Sequence, residues 1–352
     1  MSRGKPLAVT IAGAGLMGRW HARYAARTGA RVAAVVDPDR AAARTLAARF
    51  RGAAVFADLE KSLRTCPSSA VHVCTPPASH EASARIALEG GRHVLVEKPL
   101  AASTEGAKRL LDLASRGGLA LSAVHQFPFQ RGASRLALRR AELGEIVRLD
   151  FLLCSAGGQG LAPADSRETL LAMLPHPVSL FRVLAGGMPP ASDWKILATG
   201  SQEISLACGG ARPSLGIFLS LRGRPTRCRL DVIGTEATAH LDLFHGFSVI
   251  ERRRASRLSK AAAPFRFGID LFATAAANLS RRAVVREAAY PGLAELIRLF
   301  HLSAAGRAAP PVTAEEILAA ANLADRVRAE PADRDRTRGA GIIDSKAPGH
   351  PS

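Results

Sequence analysis

The sequence lacks the features that mark several classes of protein. It contains no uncharged apolar run of the roughly eighteen residues that a membrane-spanning helix needs, so none is expected. The N-terminal MSRGKP leads directly into a strand-like run, so we expect no signal peptide and a cytoplasmic protein. Aromatic residues make up only 5% of the chain and no known nucleic-acid-binding module is visible, which argues against a nucleic-acid partner.

Cysteine is also scarce. The chain has 5 cysteines, an odd number, with no CxxC spacing, and most of them lie in apolar, strand-like runs. This distribution predicts buried thiols rather than disulfides or metal ligands. No metal site is expected.

Positive charge is the one clear excess. The formal net charge is +18, and only seven of the 48 basic residues are lysines. We favour a general preference for arginine as the explanation. The alternative is an anionic partner, such as a phosphorylated or nucleotide-linked substrate, a nucleic acid or an acidic lipid surface.

The stretch AVTIAGAGLMG, residues 8–18, predicts a buried strand, a glycine turn and the start of a helix. Gly13 allows the tight bend, Gly15 lets the backbone approach a pyrophosphate, and Gly18 lets the helix pack against its strand. Leu16 and Met17 open the helix, whose free N–H groups attract an anion. The pattern predicts dinucleotide binding, although a chance glycine turn is an alternative.

An acidic residue follows at the distance that dinucleotide binding requires. After the second strand-like run, RVAAVV, comes Asp37, nineteen residues past Gly18. Such a residue binds a ribose 2′-hydroxyl. Its charge would repel the 2′-phosphate of NADP and so favours NAD, but the nearby Arg40 weakens this preference and leaves NADP open.

Strand and helix patterns alternate up to residue 124, which predicts a doubly wound parallel sheet of the α/β Rossmann class over residues 1–124. Ligands bind at the carboxyl ends of such strands. The candidate cofactor residues at two strand ends are therefore Thr75, Pro76, His80, Glu97 and Lys98. A rigid turn with a solvated histidine is the alternative for His80. Lys98 is a site candidate because a charge ending a buried strand is costly unless it faces a cleft or a partner.

The pattern then changes. Residues 125–330 contain a long strand-like run and six short ones separated by turns, which predicts a second, α+β domain with an open, mostly antiparallel sheet. From residue 331 to 352 the chain is charged and without periodicity, so a disordered tail is expected.

Prolines flank His176 in LPHPV, and Pro177 favours a helix start there. A helix N-terminus disfavours the imidazolium form, so His176 in a cleft would be neutral and able to accept a proton. A helix-capping histidine is the alternative.

The region around residues 251–287 is strongly basic, beginning near Arg252. Within it, FGIDLFATAAANLSRR predicts a helix that either lies on an acidic membrane surface or packs on the sheet. We expect packing on the sheet.

Several segments, in order and spacing, together resemble the glucose-fructose oxidoreductase/inositol dehydrogenase/MocA (Gfo/Idh/MocA) family over about residues 5–330: GAGLMGRWHA, VCTPPASHEA, HVLVEKPLA, HQFPF and LLAMLPHPVSLFRVLAG. The resemblance implies bound NAD or NADP, a carbohydrate-like substrate and a homo-oligomer. By the same resemblance Lys98 touches the nicotinamide ribose and the reacting hydroxyl, His176 is the acid/base, and Gln126 adjoins the cofactor. The expected reaction is hydride transfer to or from a hydroxyl or keto group of a sugar, cyclitol or nucleotide sugar.

The chain departs from that family at positions around the histidine. Ala172 and Ser179 stand where family members usually carry acidic residues, and Leu174 replaces a glycine. In HQFPF, the usual asparagine and arginine are Gln126 and Pro128. Three alternatives follow: Lys98 and His176 suffice without the carboxylate, one of the nearby Asp165, Ser166 and Glu168 replaces it, or the chemistry differs. An NAD-retaining lyase or glycosidase, and a catalytically weak cofactor-binding scaffold, are therefore alternatives.

Overall fold

A computed structural model describes residues 6–210, 213–252, 256 and 260–331. The predicted tail after residue 331 lies outside the described residues. Residues 253–255 and 257–259, at the start of the basic region, also lie outside the described residues.

The first domain is built on a six-stranded parallel sheet in the order β3-β2-β1-β4-β5-β6. Its strands are Ala8–Ala12 (β1), Arg31–Val36 (β2), Ala54–Phe56 (β3), Ala70–Val73 (β4), His93–Val96 (β5) and Leu121–Ala123 (β6). Strand order reverses between β1 and β4, so the loops after these two strands diverge and leave a crevice for a ligand. The predicted doubly wound sheet is confirmed.

Helices connect the strands of this sheet: Leu16–Arg27 (α1), Arg40–Ala47 (α2), Leu59–Thr65 (α3), His80–Glu89 (α4) and Thr104–Arg116 (α5). Three of them begin at a residue whose side chain accepts a backbone N–H bond, namely Asp39, Asp58 and Ser103. Such caps fix where a helix starts. The glycine turn before α1 has no such cap, so its N–H groups stay available.

The second domain is a seven-stranded sheet in the order β13-β12-β11-β7-β10-β9-β8. Its strands are Ile146–Cys154 (β7), Trp194–Thr199 (β8), Glu203–Cys208 (β9), Ser214–Ser220 (β10), Arg227–Gly234 (β11), Ala237–Asp242 (β12) and Phe247–Arg252 (β13). All pairings are antiparallel except that of β7 with β10. The predicted mostly antiparallel sheet is confirmed.

Buried and exposed residues alternate along β9 and β11, so one face of this sheet carries the second core. The helices of this domain are Arg131–Leu138 (α6), Pro163–Leu171 (α7), Pro175–Ala185 (α8) and Ala263–Val284 (α9). The apolar side of α8 packs into this core through Val178, Phe181 and Leu184. That contact fixes the position of His176 at the start of the helix.

The last two helices return to the first domain. Leu293–Ala304 (α10) adds Leu296 and Phe300 to the core of the first sheet. Ala314–Ala329 (α11) contributes Ile317 to that core and Leu323 to the second one, so it joins the two domains. The predicted boundary at residue 124 falls between the two sheets, but the first core also uses these distant residues.

Helix α9 lies against β12 and β13 at the edge of the second sheet, where the Phe267 ring contacts that of His240. None of its side chains is buried, and its largest apolar residues face outward. Among the described residues, no helix combines the length and the apolar character needed to cross a membrane.

Candidate functional site

The glycine turn has the geometry that a dinucleotide needs. Gly13 has a φ of 100°, and a Cβ there would lie 2.5 Å from the carbonyl oxygen of Cys74. A Cβ on Gly18 would lie 1.8 Å from the carbonyl oxygen of Gly13. Only glycine fits either position. Gly15, by contrast, has no atom within 4 Å of its Cβ position, so open space adjoins the first turn of α1.

Asp37 lies at the end of β2, next to this turn. Its carboxylate accepts hydrogen bonds from the backbone N–H of Ala14 at 2.7 Å and of Asp39 at 2.9 Å. The side chain therefore ties the second strand to the glycine turn and is held at the edge of the open space.

A cavity of about 1320 Å³ lies between the two domains. Seven of the predicted cofactor residues line it: Leu16, Met17, Thr75, His80, Glu97, Lys98 and Gln126. The predicted catalytic His176 lines it as well. The other five are not in its wall: Gly13, Gly15, Gly18, Asp37 and Pro76.

His80 is not solvated. It is 1% exposed, and its ring nitrogens lie 2.7 Å from the carbonyl oxygen of Pro99 and 2.8 Å from that of Thr75. The imidazole thus links the loop after β4 to the loop after β5, and its role is to hold the two loops that carry Thr75 and Lys98 in register.

Glu97 and Lys98 follow β5 at the cavity wall. Burial alone would raise the pKa of Glu97, but the hydrogen bond from His21 and the charges of His21 and Lys98 hold that pKa below its usual value. Burial lowers the pKa of Lys98, and the Glu97 carboxylate opposes this shift. Glu97 therefore favours the ammonium form of its neighbour.

Behind Glu97 lies a histidine chain, which we define as His21, His72 and His301. His21 Nε2 is 3.0 Å from Glu97 Oε1, the Nδ1 atoms of His21 and His72 are 3.2 Å apart, and the Nε2 atoms of His72 and His301 are 3.1 Å apart. Burial, then neighbouring histidines, lowers the pKa of His72 well below its usual range and that of His301 to about 4. The neutral imidazoles of His72 and His301 each offer one donor and one acceptor, so they can extend the chain that begins at His21.

His176 sits in the first turn of α8, stacked on Phe127 with ring centroids 4.0 Å apart. It is 7% exposed, and its Nδ1 has no hydrogen-bond partner in the described part of the chain. Burial lowers its pKa well below the usual value, and the charges of Lys98 and His125 add to the shift. The structure thus brings Lys98 and a neutral His176 to one cavity.

Residues 7–125 match the family model described as "Oxidoreductase family, NAD-binding Rossmann fold", GFO_IDH_MocA. The first domain belongs to the Gfo/Idh/MocA family. The chain is 34% identical over 182 residues to inositol 2-dehydrogenase 2 of Saccharopolyspora erythraea, covering 51% of this chain and 53% of that protein. It is also 34% identical over 145 residues to D-glucoside 3-dehydrogenase of Escherichia coli, and the match covers 40% of this chain and 41% of that protein. The chain spans about half the length of the curated relatives it matches.

Solved structures share the fold across both domains. UDP-N-acetylglucosamine 3-dehydrogenase GnnA from Acidithiobacillus ferrooxidans superposes with a TM-score of 0.71 at 20% identity, covering 92% of this chain and 97% of that one. The WlbA dehydrogenase from Bordetella pertussis, in complex with NADH and UDP-GlcNAcA, superposes with a TM-score of 0.73 at 16% identity. The match covers 92% of this chain and 96% of that one.

Ala172 and Ser179 stand where the family resemblance predicts acidic residues, and His176 has no carboxylate partner among the described residues. Ser179 Oγ instead donates to the carbonyl oxygen of His176 at 2.9 Å. None of the expected substitutes lines the cavity: Asp165, Ser166 and Glu168. Glu168 forms an ion pair with Arg328 at 3.1 Å.

A buried pair beside this site was not predicted from the sequence. His125 Nδ1 lies 2.7 Å from Glu316 Oε1, and both side chains are buried. The pair connects the end of the first sheet to α11, next to Gln126 in the cavity wall. The two residues are 191 positions apart, so no local pattern could have revealed it.

Proposed function

We propose that the chain is an NAD-dependent oxidoreductase that transfers hydride between the nicotinamide and a hydroxyl or keto group of a sugar, cyclitol or nucleotide-sugar substrate. The observation that carries the proposal is the meeting, in one cavity between the two domains, of Lys98 and a neutral His176 whose Nδ1 has no hydrogen-bond partner among the described residues. The substrate class is supported by the names of the relatives, an inositol and a glucoside dehydrogenase, and of a UDP-sugar dehydrogenase with the same fold.

The described residues fit a dinucleotide. The open space at Gly15 and the uncapped start of α1 suit a pyrophosphate, and the Asp37 carboxylate suits a ribose hydroxyl. Thr75 lines the cavity, and its buried Oγ1, which has no hydrogen-bond partner among the described residues, could bind the cofactor. The nicotinamide, when bound, supplies the hydride acceptor.

The side chains supply the proton chemistry. A hydroxyl must lose its proton as hydride leaves its carbon, and the neutral His176 imidazole can accept that proton. The Lys98 ammonium, favoured by Glu97, stabilises the negative charge that develops on the oxygen. The stacked Phe127 holds the His176 ring in place, a task that the missing carboxylate would otherwise share.

The test is NADH formation by the purified chain with a panel of polyols, cyclitols and nucleotide sugars. Lys98→Met and His176→Asn should each lower turnover by at least about a hundredfold. Lys195→Met, which removes an exposed lysine outside the cavity, is the matched control. Thermal shifts with NAD should persist in all three variants.

Two outcomes would contradict the proposal. Unchanged turnover in the Lys98 and His176 variants would remove their assigned roles. Product formation without any net NADH would indicate a reaction in which the cofactor is regenerated in each cycle.

A further inference from the structure

Helix α9 carries an apolar stripe on its outward face, which we define as Phe265, Ile269, Phe272, Ala276 and Leu279. These positions are spaced alternately four and three residues apart, so they lie along one side of the helix. The large members are exposed by 75%, 67%, 77% and 70%, in chain order. An unpaired apolar stripe of this length on a helix of 22 residues marks an interaction surface.

The other face of α9 is attached to the second domain. Phe267 contacts the His240 ring on β12, with centroids 5.2 Å apart. Asn278 Nδ2 and Arg282 Nη1 donate to the carbonyl oxygen of His245 at 3.0 and 3.1 Å. Phe267, Asn278 and Arg282 thus hold the helix on the second domain, while the large side chains of the apolar stripe stay exposed.

Charge distinguishes the possible occupants of the stripe. A second copy of α9 could pair through such spacing, and opposite charges on the positions that flank the seam often favour such pairing. The flanking positions include the exposed Arg266 and no acidic residue, whereas the Arg282 guanidinium already donates to the backbone oxygens of His245 and Ala288. Two copies of a chain with a net charge of +18 repel each other at long range, whereas an anionic surface attracts the chain.

We propose that the apolar stripe of α9 binds the surface of an anionic lipid bilayer, with its large side chains inserted among the acyl chains and Arg266 at the headgroups. The net charge of +18 adds a long-range attraction to such a surface. Leu279 also lines the cavity between the domains, as does Ala283 one turn further along the helix. The bound membrane would therefore lie beside the cavity, which suits a substrate held at the bilayer surface.

Sedimentation with vesicles tests the proposal without any substrate or cofactor. The full chain should sediment with phosphatidylglycerol-containing vesicles, less with pure phosphatidylcholine, and less again as salt is raised. The double variant Phe265→Ser, Phe272→Ser should bind anionic vesicles about a hundredfold more weakly, because both rings lose their burial in lipid. Its thermal midpoint should not fall, since both side chains are exposed.

The matched control is Leu138→Ser with Leu197→Ser, which removes two residues exposed by 87% and 60% outside α9 and should leave vesicle binding unchanged. Absence of binding by the unmodified chain would overturn the proposal, as would equal loss in the control. Analytical ultracentrifugation supplies the other decisive result. If the unmodified chain dimerises and only the α9 variant does not, the stripe is a protein interface and the membrane proposal is wrong.

Discussion

His21 Nε2 lies 3.0 Å from Glu97 Oε1 although 76 residues separate them, and the pair is buried behind Lys98. Replacing His21 with Phe leaves the Glu97 carboxylate without its donor in a dry environment. We expect a loss of about 3 kcal/mol in the free energy of unfolding, measured by urea denaturation. The pKa of Glu97 should also rise, since the His21 hydrogen bond opposes the effect of burial.

The control is His240→Phe, because His240 pairs with Asp231 at 2.9 Å but is 29% exposed. Water screens that pair, so its loss should cost under about 1 kcal/mol. Equal losses in the two variants would show that burial does not strengthen the His21 contact.

Substitutions at two glycines of the turn should distinguish an effect on folding from an effect on cofactor binding. Gly18→Ala places a Cβ 1.8 Å from the backbone oxygen of Gly13, which cannot move aside, so this variant should be strongly destabilised. Gly15→Ala meets no atom within 4 Å and has a φ of −67°, so it should fold normally. Its methyl group occupies the space proposed for the pyrophosphate, and calorimetry should show at least about tenfold weaker NAD binding. Normal NAD affinity in Gly15→Ala would place the dinucleotide elsewhere.

Asp37→Ala should change cofactor preference. The variant removes the charge that would repel a 2′-phosphate and leaves Arg40 nearby, so the ratio of NAD to NADP affinity should fall by about tenfold. It also removes the acceptor for Ala14 N–H, which loosens the turn for both cofactors. The measurement is therefore the ratio of NAD affinity to NADP affinity, with both cofactors titrated on the same variant. A ratio equal to that of the unmodified chain would contradict a contact between Asp37 and the ribose.

Stability should fall on mild acidification. The pKa of His301 is lowered to about 4 in the folded protein, whereas the unfolded chain titrates near 6.5. Between these values the unfolded state binds more protons, so the free energy of unfolding decreases as the pH falls from 6.5 to 4. The contribution of His301 is roughly 3 kcal/mol over this range. Above pH 7 the contribution of His301 to the free energy of unfolding should not change with pH.

The variant that checks this contribution is His301→Gln, followed by urea denaturation at several pH values. Its overall stability should be lower at neutral pH, because the bond to His72 is changed. Its slope between pH 6.5 and 4 should be shallower than that of the unmodified chain. The prediction concerns the slope of the free energy of unfolding against pH and not the absolute stability. An unchanged slope would count against a buried neutral His301.

The sequence predicted the parts of the fold and site that local patterns encode. The glycine turn, the strands that end at Thr75 and Lys98, and the helix start at His176 each rest on neighbouring residues. These patterns also identify which strand ends face the cavity, because topology places the carboxyl ends of parallel strands together. The roles of Lys98 and His176 stay predictions until the variants are measured.

The sequence could not predict contacts between distant single residues. His72 is the single polar residue in the apolar run AVHVC, and its partner His301 is 229 positions away in the sequence. The outward turn of the α9 stripe was missed for a different reason. An amphipathic pattern shows that a helix has an apolar side, but not whether the protein or something outside it covers that side.

The return of α10 to the first core has a consequence for synthesis. Leu293, Leu296 and Phe300 are fully buried against a sheet whose last strand ends at Ala123. A nascent chain that has emerged only as far as the seven-stranded sheet therefore exposes an open apolar groove on its dinucleotide-binding half. That half can close only when nearly all of the polypeptide has left the ribosome, which makes the interval a natural window for chaperone binding.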